Sequence, residues 1–312
     1  MKIFDGHSDI LLDVTRKRLA GEKNIFSRYH YNALRSGNIA GIIMVIWTDV
    51  SSKDTTYDML ENLGAMSEEL CSMKDVTGIV YRYEDMEKIL EDNKVPIILG
   101  IEGLCGLKGN ISMMDMLYRV GLRHASLTWN EENEFGTGVG SGNNNRGLTN
   151  KGVELIHRME ALGMIVDVSH SNEKTFWDIY ENTNKPFIAS HSNVYELCNV
   201  GRNLKDDQIK AIAKRGGVIG INGWRFVDNS NSTIERFVDH IDYIVRLVGI
   251  DHVGLGFDFC GFLDSDLPGV VGLEDVSKTP DLVRILQRRG YNPYQIEKIT
   301  YKNFNRILME IL

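Results

Sequence analysis

Short apolar runs rich in β-branched residues recur along the chain, and segments with helical periodicity separate them. Runs of this kind, bounded by glycine, proline or polar residues, are typical of strands. Most of the runs are apolar nearly throughout, as expected when both faces of a parallel sheet are covered. The pattern predicts eight strands, at residues 2–9, 41–47, 95–103, 123–129, 163–170, 185–193, 216–223 and 251–259.

The segments between these strands carry apolar residues at the three- and four-residue spacing of amphipathic helices. Thr149 stands in front of one such segment and is predicted to be its N-cap. Regular alternation of strands and helices produces a parallel sheet with right-handed crossovers. Eight such units in 312 residues predict an α/β fold, a (β/α)8 TIM barrel that forms one domain over residues 1–312.

Charge and composition indicate which kinds of molecule this protein does not bind. The formal net charge is −8, and no basic stripe is present to neutralise phosphates, so nucleic acid is excluded as the main partner. The sequence has no apolar run of about 18 residues and no signal-like leader, which predicts no membrane partner and a cytoplasmic location. The four cysteines lack paired spacing and are predicted to be reduced thiols.

Histidines and carboxylates interrupt the apolar runs, and they fall at the carboxyl ends of five predicted strands. In a (β/α)8 barrel these ends open on one face, where active sites lie. Imidazole and carboxylate groups are the ligands that Zn²⁺ and similar divalent ions prefer. The pattern therefore predicts a metal site at this face. The residues concerned are His7, Asp9, Glu102, His170, His191 and Asp258.

Two neighbouring ions need ligands on opposite sides and one carboxylate between them. Glu102 ends the third predicted strand, which lies between the first and the fifth around the ring. We therefore expect Glu102 to bridge the ions, with His7 and Asp9 on one ion and His170 and His191 on the other.

Other polar residues have simpler interpretations. Asp5 alternates with His7 and either orients that ligand or makes a polar contact inside the barrel. His124 opens the fourth predicted strand and is expected to lie far from the metal face. The remaining histidines are interpreted as structural or solvated; they are His30, His157, His240 and His252.

Six short motifs occur in the order found in the membrane (renal) dipeptidase family: DGHSD, GIEG, DVSH, ASHSN, GRNLKDDQ and GLGFDFCG. The chain resembles this family over residues 2–312, and it resembles the bacterial-type members in its LTWN motif. The resemblance implies a (β/α)8 barrel with two zinc ions per chain and a zinc-dependent dipeptidase activity. It also implies a homodimer as a possible assembly. It implies five metal ligands: His7, Asp9, Glu102, His170 and His191.

The resemblance further assigns Arg202 to binding of the substrate carboxylate and Asp258 to proton transfer. One departure concerns Trp129, which stands where the mammalian enzymes carry a histidine that helps to hold the tetrahedral intermediate. This departure leaves open which group stabilises the oxyanion. Asn222, after the seventh predicted strand, is a further candidate for the substrate pocket. The Gly- and Asn-rich loop 130–148 is either a lid or a flexible surface loop.

The expected reaction is hydrolysis of a dipeptide, with a hydroxide shared by two ions as the nucleophile and Asp258 as the proton carrier. Zn²⁺ is the expected metal, with other divalent ions as alternatives. A second possible function is that of another binuclear amidohydrolase, a deacetylase or cyclic amidase. Such enzymes usually bridge their metals with a carboxylated lysine on the fourth strand, where this chain has no lysine. A non-catalytic binder on a degenerate barrel would lack some of the six polar residues, which are all present.

Overall fold

The fold is described from a computed structural model, which covers residues 1–142, 146–263 and 269–312. Its centre is a ring of parallel strands surrounded by helices, so the predicted (β/α)8 barrel is confirmed as the fold. The strands are β1 (Ile3–Ser8), β2 (Ile39–Trp47), β3 (Thr77–Ile79), β4 (Val95–Glu102), β5 (Leu122–Ser126), β6 (Ile165–Asp167), β7 (Ile219–Ile221) and β8 (Val253–Leu255).

Two sheets make up the ring. One follows the order β1-β2-β4-β5-β6, with β3 paired to the first residues of β4, and the other consists of β7 and β8. Single parallel bridges join the sheets, from Asp167 to Ile188 and from Ala189 to Ile219. The ring closes between β8 and β1, because the Asp258 N–H donates to the His7 carbonyl at 3.3 Å.

The predicted strand at 185–193 is wrong as a continuous strand, since only the single bridges at Ile188 and Ala189 form there. On the side of β6 the pairing is interrupted, because the backbone N–H of Ser190 donates to Asp167 Oδ1 at 2.9 Å. On the side of β7 the Ser192 N–H still donates to the Gly220 carbonyl at 2.7 Å. Conversely, β3 was not predicted. It has three residues and pairs only with Val95–Ile97, so its sequence carries no detectable periodicity.

Helices cover the outside of the ring between successive strands. The predicted cap of α6 is confirmed, because Thr149 Oγ1 accepts the Gly152 N–H at 3.1 Å. Within the described ranges, each helix is too short or too polar to cross a lipid bilayer. The helices are α1 (Ile10–Leu19), α2 (Tyr31–Ser36), α3 (Thr55–Met73), α4 (Tyr83–Glu91), α5 (Ser112–Arg119), α6 (Asn150–Leu162), α7 (Glu173–Asn182), α8 (Asp206–Lys214), α9 (Ile234–Val248), α10 (Thr279–Arg288), α11 (Pro293–Glu297) and α12 (Asn303–Ile311).

The last helix closes the amino-terminal end of the barrel. Phe304 on α12 stacks on Phe4 of β1 with ring centroids 5.1 Å apart. Glycines make room for this ring, because a Cβ atom at Gly6 or Gly254 would lie 2.6 Å from it. The opposite, carboxyl-terminal end of the strands is therefore the end that is free to form a site.

Replacement of Phe304 by alanine is expected to lower the free energy of unfolding by about 3–5 kcal/mol, because it removes a buried ring and leaves a cavity. Urea unfolding measures this change. Met309→Ala on the same helix is the matched control, because Met309 is 57% exposed, and we expect little change there. Equal effects of the two substitutions would contradict the closing role of Phe304.

Candidate metal centre

The centre of the site is one carboxylate oxygen. Glu102 is the last residue of β4, and its Oε1 lies 3.1 Å from His170 Nε2 and 3.4 Å from His191 Nε2. The same oxygen lies 3.7 Å from His7 Nε2, on β1. Three imidazoles from distant parts of the sequence therefore face one carboxylate, as expected of residues at the carboxyl ends of parallel strands.

His7 also faces two further carboxylates. Its Nε2 lies 3.9 Å from Asp9 Oδ1 and 3.9 Å from Asp258 Oδ1. Two groups of possible ligand atoms result, in each of which the atoms lie within 4.8 Å of one another. The first contains His7, Glu102 and His191, and the second contains His7, Asp9 and Asp258. The structure thus brings all five predicted ligands and Asp258 into one cluster.

Two atoms of the cluster lack hydrogen-bond partners, as expected of atoms that bind a cation. In the described part of the chain, His7 Nε2 and Glu102 Oε1 are buried and have no hydrogen-bond partner. A buried polar atom without a partner costs free energy, and native structures contain few of them. A divalent ion bound by imidazole nitrogen and carboxylate oxygen atoms supplies the missing partner.

The two histidines beyond Glu102 support the same interpretation. His170 Nδ1 donates to Asn130 Oδ1 at 2.8 Å, so the neutral ring has a lone pair at Nε2. That Nε2 lies 3.0 Å from His191 Nε2. Two imidazole lone pairs that face each other beside a carboxylate oxygen form a suitable set of donors for a cation.

Two site residues have an uncommon backbone conformation. His170 has φ of 69° and Asp258 has φ of 55°, both in the left-handed region that favours glycine. Such residues concentrate at functional sites, because the surrounding structure must hold them there. Each of these residues stands three positions after the last residue of its strand, Asp167 of β6 or Leu255 of β8, and its side chain reaches the cluster from the turn there.

Burial sets the protonation of the metal-free cluster. It raises the pKa of Asp9 to about 8, with a further contribution from a neighbouring carboxylate, and raises the pKa of Glu102 well above its ordinary value. It lowers the pKa of His7 to about 4 and lowers the pKa values of His170 and His191 well below 6.5. At neutral pH the imidazoles are therefore neutral, and Asp9 retains its proton.

A cavity of about 540 Å³ opens above the cluster, within the usual size range of small-molecule sites. Asp9, Glu102 and Asp258 line its floor. Trp129 lines its wall and meets Trp47 edge to face, with ring centroids 5.1 Å apart. The remaining wall is formed by other aromatic and polar residues, among them Asn130, Trp224, Arg225 and Phe226.

Arg202 provides a buried cation at the edge of this cavity. Its Nη1 donates to Ser192 Oγ at 2.9 Å, and its Nη2 donates to the His191 carbonyl at 2.8 Å. Its Nε has no partner among the residues that the structure describes, although Arg202 is only 9% exposed. The side chain is fixed by these two hydrogen bonds and retains unused donor capacity beside the cavity that it lines, as an anion site requires.

Asn222 and Asp5 lie behind the cluster. Asn222 Nδ2 donates to Asp258 Oδ2 at 3.0 Å, so Asn222 orients this carboxylate, and its substrate contact stays a prediction. Asp5 Oδ1 accepts the N–H groups of Phe257 at 2.9 Å and of His7 at 3.3 Å. Asp5 therefore makes the interior polar contact that joins β1 to the end of β8, without touching the His7 ring.

The loop 130–148 lies beside the cluster, and residues 143–145 of it are outside the described residues. Its described part is hydrogen-bonded to the turn after β6, since the Val139 N–H donates to the His170 carbonyl at 2.8 Å. The interpretation of this loop as a lid stays a prediction.

Sequence reasoning missed two neighbours of the cluster. The Cys260 thiol lies 3.5 Å from Asp9 Oδ2 and 3.6 Å from Asp258 Oδ1. The other is Asn130, which fixes His170. Cys260 follows Asp258 by two residues in a segment without regular secondary structure, so strand alternation gave no signal for it.

Comparison with known proteins gives the family. The model of the membrane dipeptidase family, peptidase family M19, matches residues 1–311. The chain belongs to this family. The predicted resemblance is thereby confirmed, and so is a metallo-dipeptidase at the level of family membership.

Several relatives support this assignment. An uncharacterised protein in the pqqA 5′ region of Klebsiella pneumoniae is 38% identical over 238 residues, which cover 73% of this chain and 86% of that protein. An uncharacterised dipeptidase of Schizosaccharomyces pombe is 35% identical over 259 residues, covering 80% of this chain. Dipeptidase tcpJ of Claviceps purpurea is 30% identical over 269 residues, covering 85% of this chain. The matched regions span only 61% and 62% of these two fungal relatives.

Solved structures show the same fold. The M19 metallopeptidase named dipeptidase AC has a TM-score of 0.90 at 23% identity, covering 100% of this chain and 98% of its own. A metallopeptidase from Rhodobacter sphaeroides, liganded with a phosphinate mimic of the dipeptide L-Ala-D-Ala, also has a TM-score of 0.90 at 23% identity. That match covers 100% of this chain and 99% of the other.

Binding of Zn²⁺ at pH 7 is expected to release protons, because Asp9, with its pKa of about 8, holds a proton that the ion must displace. Apparent affinity should rise as the pH increases toward 8 and fall as the pH decreases below it. Titration calorimetry in buffers of different ionisation enthalpy measures the release. Asp9→Asn is the control and should release about one proton fewer. A binding heat that does not depend on the buffer would contradict the expectation.

Proposed function

We propose that this protein hydrolyses the peptide bond of dipeptides with the aid of two divalent metal ions. The observation that carries the proposal is the convergence of three imidazole nitrogens on the unpartnered Glu102 oxygen, at the floor of an open cavity. Membership of the membrane dipeptidase family gives the substrate class.

His7 and Asp9 would hold one ion and His170 and His191 the other, with Glu102 between them. The mixture of nitrogen and oxygen ligands favours Zn²⁺, with other divalent ions as alternatives. Bound at this place, such ions lower the pKa of water and polarise a carbonyl oxygen. The neutral state of the buried imidazoles supports their role as ligands, because a protonated imidazole cannot bind a metal ion.

Arg202 binds the carboxylate at the C-terminus of the substrate. Its guanidinium is the buried cation of a cavity whose floor is otherwise acidic, so an anionic group of the substrate is attracted to this side. Planar guanidinium groups pair with carboxylates through two parallel hydrogen bonds. A carboxylate fixed here sets the distance to the scissile bond, and this distance selects dipeptides over longer peptides.

Asp258 carries the proton. Asn222 holds its Oδ2 at 3.0 Å, so that Oδ1 is directed toward the cluster, 3.9 Å from His7 Nε2. The carboxylate takes a proton from the attacking water and returns it to the leaving amine, because the two steps follow each other. The aromatic wall at Trp129 and Trp224 packs against the substrate and excludes water from the cavity.

Two further properties stay predictions. A cytoplasmic location stays an expectation from the sequence alone, and a homodimer rests on the family resemblance. Neither changes the chemistry of the site, since every group named above belongs to one chain.

Removal of metal by a chelator is expected to abolish hydrolysis of dipeptides, and addition of Zn²⁺ to restore it. A panel of dipeptides and N-acetyl amino acids, assayed for release of free amino acids, measures the effect. Preference for N-acetyl substrates would favour the alternative amidohydrolase. Absence of hydrolysis of every dipeptide with Zn²⁺, Mn²⁺ and Co²⁺ would refute the proposal. Asp258→Asn serves as the control that retains the metal and loses turnover by about 10²–10⁴-fold.

Replacement of Arg202 by methionine is expected to lower kcat/KM for a dipeptide by about 100-fold, because two charge-assisted hydrogen bonds to the carboxylate are lost. For the same dipeptide with a C-terminal amide, the substitution should have little effect. The four kcat/KM values form a cycle that isolates the contact. Equal losses for the acid and the amide would show that Arg202 has only a structural role.

A further inference from the structure

A chain of buried side chains lies directly behind His191. His124 on β5 places Nε2 3.0 Å from Asp167 Oδ2, at the end of β6. Ser190 Oγ donates to the same Asp167 oxygen and lies 2.7 Å from His191 Nδ1. All four side chains belong to residues that are at most 1% exposed. His124 was expected to lie far from the metal face, and it is instead connected to a predicted ligand through two side chains.

The directions of these hydrogen bonds follow from the donors that are available. Asp167 Oδ1 accepts the backbone N–H groups of Ser169 and Ser190, each at 2.9 Å, and Oδ2 accepts from His124 and from the Ser190 hydroxyl. A carboxylate that accepts four hydrogen bonds is ionised and donates none.

Ser190 has a single hydroxyl proton, and the carboxylate is its strongest acceptor. The alternative acceptor, Ser169 Oγ, is farther away at 3.4 Å. Ser190 Oγ therefore offers only lone pairs to His191, so the hydrogen between Ser190 Oγ and His191 Nδ1 belongs to the imidazole. A neutral His191 then has no hydrogen at Nε2, the atom that faces Glu102.

We propose that Asp167 and Ser190 are positioning residues that hold His191 in its Nδ1–H tautomer, so that Nε2 presents a lone pair to a divalent metal ion. His124 completes the arrangement by fixing Asp167 Oδ2. The inference rests on the proposed metal-dependent function and adds the device that prepares one of its ligands. Partners of this kind fix the ring orientation and the tautomer of metal-binding histidines.

Asp167→Asn tests the direction of the hydrogen bonds between Asp167, Ser190 and His191, because asparagine has the same shape as aspartate. Because Oδ1 accepts two backbone N–H groups, the oxygen of the new amide must remain at that position, and its nitrogen must replace Oδ2. The nitrogen then donates to Ser190 Oγ, and the Ser190 proton turns toward His191 Nδ1. His191 is thereby forced to carry its hydrogen at Nε2, where it blocks metal binding.

Ser190→Ala removes the link without reversing it, so His191 is expected to populate both tautomers. Ser171→Ala is the matched control. Ser171 adjoins His170 as Ser190 adjoins His191, and its buried Oγ has no hydrogen-bond partner within the described ranges.

Long-range ¹H–¹⁵N spectra of metal-free protein labelled at histidine report the tautomer, and competition with a chromophoric chelator gives the Kd for Zn²⁺. We expect the Nδ1–H form of His191 in the wild type and in Ser171→Ala, and the Nε2–H form in Asp167→Asn. The Kd should increase about 10-fold in Ser190→Ala and about 100-fold in Asp167→Asn. Ser171→Ala should keep the wild-type value.

The inference is overturned if His191 keeps the Nδ1–H form in both variants, or if both variants keep the wild-type Kd. If Asp167→Asn does not fold, Ser190→Ala decides between the same outcomes. A wild-type protein that binds no divalent ion would contradict the proposed function. In that case the tautomers, which are measured on metal-free protein, decide the present inference alone.

Discussion

The site depends on one close approach: a carboxylate oxygen, Glu102 Oε1, lies within 3.7 Å of three imidazole nitrogens. These groups are buried, and between them the described structure shows no hydrogen-bond donor that satisfies the Glu102 oxygen. A cluster of this composition is costly in a protein interior unless a cation compensates it. A hydrophobic cluster around Phe304, at the other end of the barrel, stabilises the fold and offsets this cost.

The positions of the metal-binding candidates were predictable because they depend on strand order alone. Parallel strands of a barrel end on one face, so His7 and Glu102 had to approach each other once their strands were recognised. Side-chain contacts were less predictable. Asn130 and Cys260 adjoin the cluster through turns whose conformation the apolar pattern does not encode.

The predicted strand at 185–193 failed for a related reason. Apolar periodicity reports which residues are buried, but it does not report where a backbone N–H finds its acceptor. The Ser190 N–H bonds to the Asp167 side chain, so the pairing with β6 ends after Ile188. A polar layer beneath the metal centre, with Asp167 and His124 in it, thus shortened a strand that the sequence favours.

The closure of the ring has a consequence for the synthesis of the protein. Asp5 leaves the ribosome long before Phe257, yet its carboxylate accepts the N–H of Phe257, 252 positions later in the sequence. The ring contact between Phe4 and Phe304 joins residues that are still farther apart in the sequence. Contacts of such long range form late, because the intervening chain must first be ordered. A nascent chain therefore carries most of the metal-binding side chains long before it can assemble them, and it acquires its metal site only after the residues that follow β8 have been synthesised.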